Sequence, residues 1–232
     1  MQCSRRRFMV TSLSLVSAGC TTGSELVLPP PAWPHPRPRP RSDGALLEPE
    51  PDPARTDVAT ESSRIGPVRA IARQRWARGA PIRRRLNLLG RVSRITVHHE
   101  GWTAVTFDDW GQTTTRIDAI RRSHLARGFG DIGYHLVIDR AGRIWQGRAM
   151  HFQGAHVKHH NERNIGVMVL GNFDIQRPTS MQYTSLHNTL QQLTRYFRVP
   201  ASRVYTHREL MPTTCPGHHL QQHMEHQRRR IG

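Results

Sequence analysis

Cysteine is nearly absent where a fold could use it. Of three cysteines in 232 residues, Cys3 and Cys20 fall within the first twenty, which leaves Cys215 alone in the region with hydrophobic patterning. A disulfide framework is excluded there, so Cys215 is a small buried hydrophobe, a reactive thiol or a metal ligand. At the front of the chain the uncharged stretch 9–19 is too short to span a bilayer as a permanent helix. Acidic residues are scarce as well: 17 Asp and Glu stand against 34 Lys and Arg, a formal charge of +17. Such a surface attracts polyanions and loses that attraction in salt. Nucleic acid and an anionic cell envelope both qualify, and charge alone favours neither.

What the first twenty residues contain is an address. Ser4-Arg5-Arg6-Arg7-Phe8-Met9 ahead of the uncharged stretch resembles a twin-arginine export signal, with Met9 in the place of a leucine. Val16-Ser17-Ala18-Gly19-Cys20 then resembles a lipoprotein processing box in which Cys20 bears the lipid, although Ser17 stands where an aliphatic residue is usual. Ordinary cleavage after Ala18 is the alternative. Either way the chain is expected to be exported to the periplasm or cell envelope, and a lipid on Cys20 anchors it to a membrane face. Residues 21–67 read as a linker, since the alternating prolines between 29 and 53 hold the backbone extended and remove hydrogen-bond donors.

Hydrophobic periodicity places one domain over 68–223, followed by a basic tail, 224–232. A strand is predicted over 92–98, with Ile95 and Val97 on one face. Ile117, Ile120 and Leu125 predict a helix over 115–127, opened by a Thr115/Asp118 capping box. Segments 134–138 and 143–145 flank the turn Asp139-Arg140-Ala141-Gly142 as a hairpin, and the apolar run 165–170 reads as a central strand. Leu186, Leu190, Leu193 and Phe197 recur at helical spacing behind a Thr179/Gln182 capping box. This mixture indicates an α/β domain with helices packed on a central mixed sheet.

Three residues carry borderline or soft metal-ligand atoms at strand ends or in the loops beyond them: His98, His207 and Cys215. Two imidazoles and a thiolate suit zinc and leave a fourth tetrahedral position open, as in catalytic sites. The alternative for Cys215 is a nucleophilic pair with His207.

Four ordered segments now matter together: ITVHH, DIGYHLVIDRAGRIWQGRAM, GAHVKHHNERNIGVMVLGNF and THRELMPTTCPG. With Arg73-Gln74-Arg75-Trp76 ahead of them, they resemble over about 73–217 the amidase family that includes peptidoglycan recognition proteins and amidase-type phage lysozymes. The resemblance implies a central mixed sheet with flanking helices, a zinc ion held by His98, His207 and Cys215, and cleavage of the amide between N-acetylmuramic acid and L-alanine in peptidoglycan. It implies that Tyr134 lies beside the metal site and, with Thr213, holds the developing tetrahedral oxyanion. His156 and Asn161 fall in the segment similar to the family's substrate groove, while His99 is structural and points to the other sheet face. His151, His159, His160 and the histidines at 218, 219, 223 and 226 are expected in solvent.

Two positions bear on the activity that the resemblance implies. Thr213 stands where phage members carry lysine and amidase-active recognition proteins carry threonine, and its hydroxyl brings no positive charge to an oxyanion. Glu100 replaces the usual Thr or Ser after the histidine pair and is expected in solvent or behind the metal ligands. A non-catalytic binding module of the same fold is the competing reading, and such relatives commonly lack the cysteine ligand. A specific nucleic-acid partner is not expected, because the basic residues are dispersed and the His…His-x7-Cys order matches no zinc finger.

Overall fold

The computed structural model describes residues 62–231. The export signal, Cys20 and the proline-rich stretch lie outside the described residues. Seven strands form one mixed sheet: β1 (Ser62–Ile65), β2 (Val68–Ile71), β3 (Arg94–His99), β4 (Leu136–Ile138), β5 (Ile144–Gln146), β6 (Asn164–Val169) and β7 (Val204–Thr206), in the order β1-β2-β5-β4-β6-β3-β7. Strands β4, β6, β3 and β7 run parallel, and the β4/β5 hairpin and the β1/β2 pair are antiparallel. The run expected at the centre is there as β6, buried at every position between β3 and β4. Among the described residues no helix is long and apolar enough to cross a membrane.

Each face of the sheet has its own core. Ile95 and Val97 of β3 join Val167 and Val169 of β6, Leu186, Leu190 and Leu193 of α2 (Ser180–Phe197), and Leu220 and Met224 of α3 (His218–Gln227). On the opposite face Met168, Val137 and Trp145 pack with Ile117 and Ile120 of α1 (Trp110–Ala126), sealed by Trp76. The two-residue alternation of β3 therefore turns Thr96 and His98 toward the α1 side. Helix α2 starts as expected, with Thr179 and Gln182 exchanging capping-box hydrogen bonds.

Three boundaries differ from the sequence reading. Helix α1 begins five residues before Thr115, because the Asp109 carboxylate accepts from Gln112 N at 2.8 Å and caps the helix there. The sheet begins at Ser62 rather than at 68, since β1 pairs with β2 along its whole length; a four-residue edge strand carries little hydrophobic signal. The expected basic tail is part of the fold. Leu220, Met224, Gln227 and Ile231 are all buried, at spacings that follow one helical face, and they were obscured by the His, Gln and Arg between them.

Burying Met224 with no exposed surface gives a direct measure of that extension. Met224→Ala is expected to lower the unfolding free energy by about 2–5 kcal/mol. Urea denaturation checks this, and a change of a few tenths would restore the solvated tail.

Candidate metal and catalytic site

At the carboxyl ends of the parallel strands, β3 delivers His98, and the nine-residue strap after β7 delivers His207 and Cys215. The strap is closed by Arg208 N donating to Cys215 O at 3.0 Å. Glu209 fixes its start: this carboxylate accepts from Thr206 N at 2.8 Å and is gripped by Arg228, beyond α3, at 2.5 Å. Cys215 Sγ comes 3.6 Å from His98 Nδ1, and the His98 and His207 rings are 4.7 Å apart between centroids. One ligand atom from each of His98, His207 and Cys215 lies within 4.8 Å of the others. Among the described residues no further His, Cys, Asp or Glu joins this group.

That spacing can be tested against the ion expected from the donor set. Tetrahedral coordination, at about 2.0–2.1 Å to nitrogen and about 2.3 Å to sulfur, separates such N and S atoms by about 3.6 Å. The observed 3.6 Å between Sγ and Nδ1 fits. Burial pushes the Cys215 thiol up to about 12, partly opposed by the His99 backbone N–H that donates to the sulfur at 3.4 Å. A cysteine nucleophile requires a lowered thiol pKa, so this environment disfavours the Cys–His nucleophilic pair; a cation displacing the thiol proton suits it.

Tyr134 stands on the same side of the sheet, with its ring 5.1 Å from that of His98. Burial, reinforced by the neighbouring Cys215 and Glu100, raises its phenol above the ordinary tyrosine value, so the hydroxyl keeps its hydrogen. Thr213 is exposed, and its Oγ1 accepts from Cys215 N at 3.3 Å. His99 points to the other face as expected, where its Nδ1 accepts from Phe173 N at 3.1 Å.

Other expectations change. Glu100 is not in solvent: its side chain is 2% exposed and pairs with Arg116 of α1 at 2.5 Å, and burial raises its carboxyl to about 7 against the pull of that arginine. His156 does not present itself at a groove surface. It is 5% exposed, and its Nδ1 meets His98 Nε2 at 3.0 Å. The Asn161 Oδ1 is occupied within its own loop, accepting from His156 N and Val157 N at 2.8 Å each. His223 is half-buried and lies 4.0 Å from the Tyr183 ring, and His160 approaches Arg94, so neither is simply solvated. One neighbour had no signal in the sequence: His124 of α1 accepts from Gly133 N at 2.8 Å and packs 5.7 Å from the Tyr134 ring.

With this geometry in place, the chain can be set beside known proteins. Residues 89–218, more than half of the chain, match the family described as N-acetylmuramoyl-L-alanine amidase. The chain belongs to that family. A human protein of that name is 33% identical over 149 residues, which are 62% of this chain and 26% of the human one. A peptidoglycan-recognition protein of Drosophila melanogaster is 31% identical over 151 residues, 65% of this chain and 82% of that protein. Among solved structures, the amidase LysC from Clostridium intestinale superposes with a TM-score of 0.52 at 26% identity, covering 61% of this chain and 88% of that one. The chain thus spans about a quarter of its human relative and most of the insect and clostridial ones.

Burial holds six histidines below the ordinary imidazole value: His98, His124 and His156 well below it, and His99, His135 and His207 at about 4. In the unfolded chain each titrates near 6.5, so between about 6.5 and 4 that chain binds more protons than the fold does. Stability from these groups is therefore full above about pH 6.5 and is lost as the pH falls below it. By pH 5 the three at about 4 alone account for roughly 2 kcal/mol each, a sum comparable with the total stability of many domains. The urea midpoint of the metal-free domain is expected to drop steeply between pH 7 and pH 5; a flat midpoint would mean that these rings titrate freely.

Proposed function

We propose that the chain is a zinc-dependent N-acetylmuramoyl-L-alanine amidase that hydrolyses the amide between N-acetylmuramic acid and L-alanine in bacterial peptidoglycan, with His98, His207 and Cys215 as the zinc ligands. The observation that carries this reading is the convergence of these three side chains, far apart in sequence, with Cys215 Sγ and His98 Nδ1 at tetrahedral separation and no fourth protein ligand among the described residues. Bound there, zinc supplies Lewis acidity toward the lactyl carbonyl and lowers the pKa of a water molecule.

The chain's own groups do the rest. Tyr134, kept as a neutral phenol by its surroundings, donates its hydroxyl hydrogen to the oxygen that becomes negative as water adds to the carbonyl. Thr213 uses an oxygen lone pair toward Cys215 N, so its own hydrogen remains for donation to the same oxygen. Thr213 reaches solvent while His98 is fully buried, so a substrate would approach from the side of Thr213. Export to the periplasm or cell envelope belongs to the same proposal: it is supported by the resemblance of Ser4–Met9 to a twin-arginine signal, and lipidation of Cys20 would anchor the protein at a membrane face.

Purified zinc-loaded protein incubated with peptidoglycan is expected to release stem peptides with free L-alanine amino termini, and a chelator is expected to stop the release. Binding to peptidoglycan without release would instead identify a recognition module. Cys215→Ser is expected to lose zinc and activity together; full activity without metal would overturn the ligand assignment. Tyr134→Phe should keep its zinc and lose about 10²–10³-fold in kcat, the usual cost of one oxyanion donor. An unchanged kcat would remove Tyr134 from the chemistry.

A further inference from the structure

His98 uses both ring nitrogens. Its Nδ1 faces Cys215 Sγ at 3.6 Å, and its Nε2 lies 3.0 Å from His156 Nδ1. The next link decides the direction of that second bond. His156 Nε2 is 3.2 Å from the backbone oxygen of Asn164, and a carbonyl oxygen only accepts. His156 Nε2 therefore carries a hydrogen, and in a neutral imidazole the other nitrogen, Nδ1, is then a bare acceptor. His98 must donate to it from Nε2, which leaves the His98 Nδ1 lone pair directed into the metal corner.

We propose that His156 is a positioning residue that selects the metal-binding tautomer of His98, through a fixed relay from the Asn164 carbonyl to His156 to His98. The inference rests on the zinc-amidase reading for the identity of the ion, but the hydrogen-bond order stands without it.

The surroundings of His156 are built for one ring orientation. A Cβ on Gly154 would stand 2.4 Å from His156 Cδ2, and one on Gly166 would stand 2.6 Å from the same atom, so the imidazole occupies a slot that only two glycines leave open. Asn161 holds the His156 backbone, as described above. Asn164 is itself fixed, with its Oδ1 accepting from Thr96 Oγ1 at 3.0 Å and its Nδ2 donating to His160 O at 2.8 Å. His135 packs edge-on against the His156 ring at 5.9 Å but cannot compete for its nitrogens. Its Nδ1 accepts from Gly166 N and its Nε2 bonds Phe152 O, each at 2.9 Å. The Gly154-Ala155-His156 motif and Asn161, expected in a substrate groove, thus serve the ligand from behind. Groups in this position commonly alter metal affinity by about 10–100-fold.

The test reads the tautomer and the metal, not turnover. Long-range 1H–15N spectra of the metal-free protein are expected to show both His98 and His156 protonated at Nε2. His98 protonated at Nδ1 would overturn the proposal, whether or not the protein cleaves peptidoglycan. By chelator competition, His156→Ala is expected to bind zinc about 10–100-fold more weakly, and His156→Asn, whose amide oxygen reaches the place of Nδ1, to recover most of that loss. Wild-type zinc affinity in a folded His156→Ala protein would also overturn it. Should that variant fail to fold, Gly166→Ala keeps every polar group yet fills the slot, and it is expected to weaken zinc binding in the same direction; unchanged affinity there counts against the relay.

Discussion

A histidine with no exposed surface at the end of a central strand is tolerable only if both ring nitrogens find partners. His98 meets that condition with a sulfur on one side and an imidazole on the other, and much of the domain follows from it. The strap after β7 must bring Cys215 to the end of β3, more than a hundred residues away in sequence. The loop before β6 must fold His156 behind the strand. The parallel register of β3 and β7 brings the strap to the carboxyl end of β3, whereas the loop before β6 enters at the amino ends and lays His156 over Gly166, on the face that carries His98.

Desolvation sets the electrostatic character of the site. It keeps the imidazoles neutral, and so suited to bind a cation, and keeps the thiol protonated until something displaces its hydrogen. It also retains the hydrogen of Tyr134 and makes Glu100 depend on Arg116. The +17 surface charge is a separate property, suited to drawing the protein toward an anionic polymer rather than to the chemistry.

The parts of this arrangement that repeat a period or a motif were legible in the sequence. The alternation of β3, the apolar run of β6 and the capping box of α2 each announced an element, and the ordered motifs brought His98, His207, Cys215 and Tyr134 together before any coordinates did. Contacts between segments were not legible. That Glu100 meets an arginine one helix away, or that His156 turns inward to a second imidazole, depends on how loops pack on the sheet, and neither spacing nor residue type records it. The helix α1 start was hidden because Gly111 and the polar residues after it dilute the apolar stripe, although Asp109 and Gln112 held the cap. The carboxyl-terminal segment looked like a charge run because arginines surround its few apolar anchors.

The Arg228 grip on Glu209 joins the turn that follows α3 to the turn that carries His207. A cut between α3 and Arg228 would therefore be felt at one of the imidazoles through a single carboxylate.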